Sequence, residues 1–125
     1  MHEGLKGKGA VGVAISYFAL RGMVCIPLEP CDYNLIFDDG KYLYRVKVIS
    51  CSYKTKYGIF CASIRAMGNS AGKQYLKKFD STLCDIVFIV TSEMDLYRIP
   101  SELVKATRQI SLSVYGEFKT NLIPS

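Results

Sequence analysis

A chain of 125 residues with 50% hydrophobic content suits one globular domain, long enough to bury a single core and too short for two. Its net charge is +5, and nine basic residues with no Asp or Glu lie between Lys41 and Phe79 while all eleven acids lie outside, so an anionic partner is expected. Three classes are excluded: the apolar runs fall short of the roughly 18 to 20 residues that span a bilayer; five cysteines form no C-x-x-C pair for structural zinc; and with His2 the only histidine, a serine or cysteine triad has no base.

After Gly4-Leu-Lys-Gly-Lys-Gly, residues 10–21 place Val11, Ala14, Ile15, Phe18 and Ala19 at helical spacing, with Gly22 as a stop. Met23 to Leu28 and Tyr33 to Phe37 read as short strands, the second closed by an Asp38-Asp39-Gly40 hairpin turn. Tyr42 to Cys51 alternates. Tyr42, Tyr44, Val46 and Val48 share one face, as packing residues, and Leu43, Arg45, Lys47 and Ile49 the other. A turn over 52–56 leads to a β-like run, Tyr57 to Arg65. Residues 66–81 are polar and contain Met67-Gly-Asn-Ser-Ala-Gly-Lys, the pattern of a surface loop with at most one helical turn. Cys84 to Thr91 has the composition of a central strand buried on both faces, and Leu96 to Ile99 that of its hairpin partner. Pro100-Ser101-Glu102 starts a short helix, and residues 115–125 read as a flexible tail beyond a core of about 6–113. Cysteines inside apolar runs, and no signal-peptide h-region after Met1, predict buried thiols in a reducing, cytoplasmic setting.

Lys6-Gly-Lys-Gly lacks the spacing of a phosphate loop and reads as a lead-in that offers Lys6 and Lys8 to phosphates. The acid-free block interleaves its cations with Tyr42, Tyr44, Tyr53, Tyr57 and Tyr75, a mixture suited to phosphate neutralisation and base stacking. From it Lys47, Lys54, Lys56, Arg65, Lys73, Lys77 and Lys78 join Lys6 and Lys8 as nucleic-acid-binding candidates. Against this stands the possibility that lysines on solvated strands serve only solubility.

The order of short motifs resembles the PD-(D/E)XK endonuclease superfamily, and within it the small endonucleases associated with group I introns. Lys6-Gly-Lys-Gly precedes the helix, followed by Arg21-Gly22 and Pro27-Leu28, Tyr33-Asn34-Leu35-Ile36, Tyr44-Arg45-Val46-x-Val48, Ser52-Tyr-Lys-Thr-Lys-Tyr-Gly58, Lys77-Lys-Phe-Asp80, Cys84-Asp-Ile-Val-Phe-Ile-Val90 and Tyr97-Arg-Ile-Pro100. Together they cover most of residues 6–105. The resemblance implies an α/β, restriction-endonuclease-like core, an N-terminal helix packed on a mixed, largely hairpin-connected sheet. It also implies a metal site built from a helix acid, an aspartate and a (Glu/Gln)-x-Lys pair. Carried onto this chain those positions are Val13, Asn34, Lys47 and Ile49, none of the required type. Mg²⁺ needs anionic oxygens to stay beside a phosphate.

The expectation is therefore a nuclease-like protein of mobile-element or phage origin that binds nucleic acid without cutting it. It would need no metal or cofactor, would act on duplex DNA or structured RNA as a regulator or assembly factor, and would work as a homo-oligomer or as a subunit of a larger complex. The alternative is an active Mg²⁺-dependent endonuclease with a relocated site at Asp32 and Lys47, helped by Asp38 and Glu29.

Overall fold

The computed structural model describes residues 7–28 and 32–124. The chain begins with α1 (Gly7–Ala19), whose Ala10, Ala14, Tyr17 and Phe18 recur at helical spacing and are buried. The helix starts earlier than its apolar pattern suggests, so Lys8 belongs to its first turn and not to a lead-in. Gly22, at φ 82°, ends the following turn in the left-handed conformation that glycine adopts without a Cβ clash.

Strands β1 (Val24–Pro27), β2 (Leu35–Asp38) and β3 (Leu43–Cys51) follow as an antiparallel meander. Asp39 closes the β2–β3 turn by accepting bonds from the Lys41 and Tyr42 main-chain N–H groups, both at 2.8 Å. The chain continues with β4 (Cys61–Ser63), β5 (Ala66–Ser70), β6 (Lys73–Lys77), β7 (Ile86–Thr91), β8 (Leu96–Pro100), β9 (Gln109–Ser111) and β10 (Lys119–Thr120). The main sheet has the order β1-β2-β3-β7-β8-β10, with β3 and β7 parallel and every other pair antiparallel. This is the expected α/β class, one N-terminal helix on a mixed sheet.

Strand β7 is buried along its whole length because the sheet is covered on both sides. On one side α1 packs with Leu35, Phe37, Val46, Val48, Phe88 and Val90. On the other, Val87, Ile89 and Ile99 pack under Phe60, Ala62, Ile64, Ile110 and Leu112, which the β4–β9 ribbon and its flanks supply.

Three expectations are corrected here. Residues 66–77 are not a loop: β5 and β6 form a two-stranded ribbon in register Ala66↔Lys77 to Ser70↔Lys73. The stretch from Tyr57 to Arg65 is strand only at Cys61–Ser63, where β9 supplies a partner. The C-terminal segment is not loose, since β10 pairs with β8, and Arg21 donates to the carbonyl oxygens of Asn121 (2.8 Å) and Leu122 (3.0 Å). Tyr17 Oη and Thr120 Oγ1 lie 3.1 Å apart.

Candidate nucleic-acid interface and reactive centre

Alternation along β3 sorts its side chains. Val46 and Val48 face the helix, so Lys47, like Ile49 and Cys51, faces the opposite side, away from α1. Asn34 sits where the chain enters β2. Its main-chain N–H reaches the Val46 carbonyl at 3.0 Å, its side-chain Nδ2 donates to Val48 O at 3.1 Å, and its Oδ1 accepts from Val48 N at 2.7 Å. The amide thus continues the sheet ladder after the main chain has turned away, held between the two residues that flank Lys47. Both functional ends of Asn34 are committed to β3.

Lys47 is buried, 8% exposed, which corrects the expectation that it contacts phosphates. Cys84 lies near it: burial pushes that thiol up to about 11, against the opposing positive charges of Lys47 and Arg45. Ile49 packs with Tyr33 against the core on the same side. Val13 packs against the helix-side core instead. Of the positions carried over from the family pattern, Asn34, Lys47 and Ile49 gather on β3 and its neighbour, and Val13 stands on the other layer.

Asp32 has a different environment. Its carboxylate takes the Lys77 Nζ at 2.6 Å, joining the approach to β2 with the base of the β5–β6 ribbon. Asp38, proposed as a helper, does not converge with it: it lies at the far end of β2 and caps the turn by accepting from Gly40 N at 2.7 Å. Glu29, the other helper, and Lys6 lie outside the described residues. Asp85 contacts Arg45 three ways, through Arg45 N (2.8 Å), Nε (3.3 Å) and a terminal guanidinium nitrogen (3.3 Å). Partial burial pushes the Asp85 carboxyl up, but these bonds and the guanidinium charge outweigh it and hold it below the usual carboxylate range.

The positions expected from the resemblance do not suit a divalent ion: they offer no carboxylate, Asn34 Oδ1 already accepts from Val48 N, and no three His, Cys, Asp or Glu side chains among the described residues are placed to hold a metal.

The block from Lys41 to Phe79 is acid-free only along the chain. In space Arg45 is paired with Asp85, Lys77 with Asp32, and Lys54 with Glu93 while it also sits over the Phe60 ring. Lys56, Arg65, Lys73 and Lys78 are exposed. Two bonds draw further cations to them: Ile64 N donates to Arg108 O at 3.0 Å and Phe79 N to Thr107 O at 2.8 Å. The exposed Lys105 and Arg108 therefore stand on the segment held against Arg65 and Lys78, and Lys78 and Lys105 share the rim of a shallow pocket. Sequence reasoning missed both, because they lie outside the acid-free block. Tyr53, Tyr57 and Tyr75 are exposed as a stacking surface requires, and so is Tyr42, which does not pack as expected. Tyr44 does, stacked on Phe37 with centroids 4.8 Å apart.

One N-terminal helix on a mixed sheet makes an α/β core like that of a homing endonuclease. Among solved structures, that of a bacterial homing endonuclease, I-Ssp6803I, matches with a TM-score of 0.72 and 21% identity over 86% of this chain and 76% of that one. No protein-family model matches the chain, and no curated protein matches it in sequence. The comparison corrects the expectation of a non-enzyme: the protein that shares this fold is an enzyme, an endonuclease. Substitution at Val13, Asn34, Lys47 and Ile49 speaks only for those positions, and Asp32 remains as a carboxylate beside a lysine.

Proposed function

We propose that this chain is a DNA endonuclease of the homing type whose reactive centre has moved from the positions expected by family resemblance to Asp32 and Lys77. The observation that carries this reading is the 2.6 Å Asp32–Lys77 ion pair at the entry to β2, in a fold shared with an endonuclease. Phosphodiester hydrolysis needs a group to take the proton of the attacking water and positive charge where the phosphate gathers negative charge. Asp32 takes the proton of the water whose oxygen bonds to phosphorus, and Lys77 meets the charge gathering on the phosphate and passes a proton to the ester oxygen that leaves. No step is assigned to a divalent ion. The exposed Arg65, Lys78, Lys105 and Arg108 hold the flanking phosphates.

The test is cleavage of supercoiled plasmid in Mg²⁺, Mn²⁺ and EDTA, with structured RNA in parallel and gel-shift affinities for the same proteins. Nicking or linearisation that falls about 100-fold or more in Asp32→Asn while DNA binding persists is the expected result. Cleavage indifferent to Asp32→Asn, or no cleavage under any of these conditions, overturns the proposal.

A further inference from the structure

We infer that the β5–β6 ribbon is the element that reads duplex sequence, its end entering the major groove with Lys73 on one face and Gln74 on the other toward base edges. This rests on the DNA reading above and adds to it the part of the protein that selects the site. Ribbon residues Ala66–Ser70 and Lys73–Lys77 pair only with each other among the described residues, and neither strand joins the main sheet. From Lys73 to Leu76 every side chain is exposed, on both faces of the ribbon. A solitary hairpin is marginal in water. Among the described residues, the buried Ala66 and the Lys77–Asp32 pair anchor this one at its base.

Its shape suits a groove. Five paired residues extend it by about 17 Å, more than the roughly 8.5 Å depth of the B-form major groove, whose width of roughly 12 Å admits a two-stranded ribbon. Ala71 (φ 52°) and Gly72 (φ 78°) make a two-residue tip of the type whose twist matches the strands, so the end stays narrow. Charge is placed to match: Lys73 follows the tip, and the exposed Arg65 and Lys78 flank the two bases with Lys105 and Arg108 nearby, where the phosphate walls would meet them. The ribbon carries no acid from Arg65 to Phe79. Lys and Gln side chains are the donors and acceptors that distinguish purines by their major-groove edges. A-form RNA presents a major groove too deep and narrow for the same insertion.

The test selects duplexes from a pool with a randomised core and compares the winner with poly(dI-dC) for the wild type and for Lys73→Ala/Gln74→Ala, checked for folding by circular dichroism. The expected result is a specific-to-nonspecific affinity ratio about tenfold lower in the variant, with poly(dI-dC) affinity little changed. A second arm leaves the protein untouched: 7-deaza purines in the selected duplex remove major-groove acceptors, and a comparable loss is expected. An unchanged ratio in both arms, enrichment of no duplex, or preference for a stem-loop RNA overturns the inference. Plasmid cleavage that persists with an unaffected ribbon variant overturns the ribbon reading alone. Selective binding without cleavage overturns the nuclease reading and leaves the ribbon in place.

Discussion

The Asn34 amide both donates to and accepts from the Val48 main chain, and an aspartate there would keep the acceptor while losing the donor. It would also set a carboxylate against the Val48 carbonyl. Asn34→Asp, which on family resemblance looks like the repair of a catalytic residue, is therefore expected to destabilise the fold by about 1–3 kcal/mol in urea titration without creating Mg²⁺-dependent cleavage. A gain of cleavage at unchanged stability would show that the position still belongs to a reactive centre. Sequence could place Asn34 at the aspartate position that the resemblance implies, but not show that its amide closes a ladder: that depends on where β3 lies, with Val48 14 residues further along the chain. Backbone strain is equally silent in sequence. Met94 is half exposed and held at φ 63°, a conformation that costs a side chain with a Cβ roughly 1–2 kcal/mol, part of which glycine returns through its freer unfolded chain. Met94→Gly should thus raise the thermal midpoint slightly, by an amount equivalent to about 0.5–1 kcal/mol; a lower midpoint would mean that the Met94 side chain contributes more than its exposure suggests.

At the scale of elements, what could be read in advance follows burial. Strand β7 is visible because a strand covered on both faces is continuously apolar, and α1 because its apolar residues recur at helical spacing, although the stripe also takes in Ala10 and Tyr17 and leaves Ala19 exposed. Strand β6 has no covered face from Lys73 to Leu76 to impose a two-residue period, so in sequence Gly68, Asn69, Ser70 and Gly72 look like a loop. The C-terminal segment hides for another reason: its hold comes from Arg21, a hundred residues earlier in sequence, whose guanidinium also lies 3.6 Å from the Tyr17 ring centroid. Arg21→Ala is expected to speed amide exchange selectively in β10 while leaving β7 protected; uniform exchange changes would count against a local clasp. The junction of β3 and β7 responds to acid. Because Asp85 has a folded pKa below its unfolded value, its contribution is fully present above the ordinary carboxylate value of about 3.9 and is lost as pH falls through the lower folded value. Asp85→Asn should flatten the stability profile over that acid window, and an unchanged acid limb would place the sensitivity elsewhere.

For the whole molecule, the positive charge that marks the sequence as a ligand for anions is partly spent inside the fold. Lys54, Arg45 and Lys77 face Glu93, Asp85 and Asp32, partners that lie far from them in sequence, whereas Lys105 and Arg108 add exposed charge from outside the basic block. Counterion release makes this difference measurable, since each phosphate neutralised contributes about 0.9 to the slope of log affinity against log salt on B-form DNA. Arg65→Ala, Lys78→Ala and Arg108→Ala are each expected to lower that slope by about one, weakening binding to all duplexes alike. Lys54→Ala should change it much less: its ammonium already faces Glu93, and removing it leaves that carboxylate to repel phosphate, which lowers affinity without removing a phosphate contact. Equal slope changes for Lys54 and Arg108 would mean that the Glu93 pair opens on DNA and that the basic surface extends across the end of the sheet. Unequal changes of the predicted order would confine the DNA to the side that carries the β5–β6 ribbon, where Asp32 and Lys77 also meet.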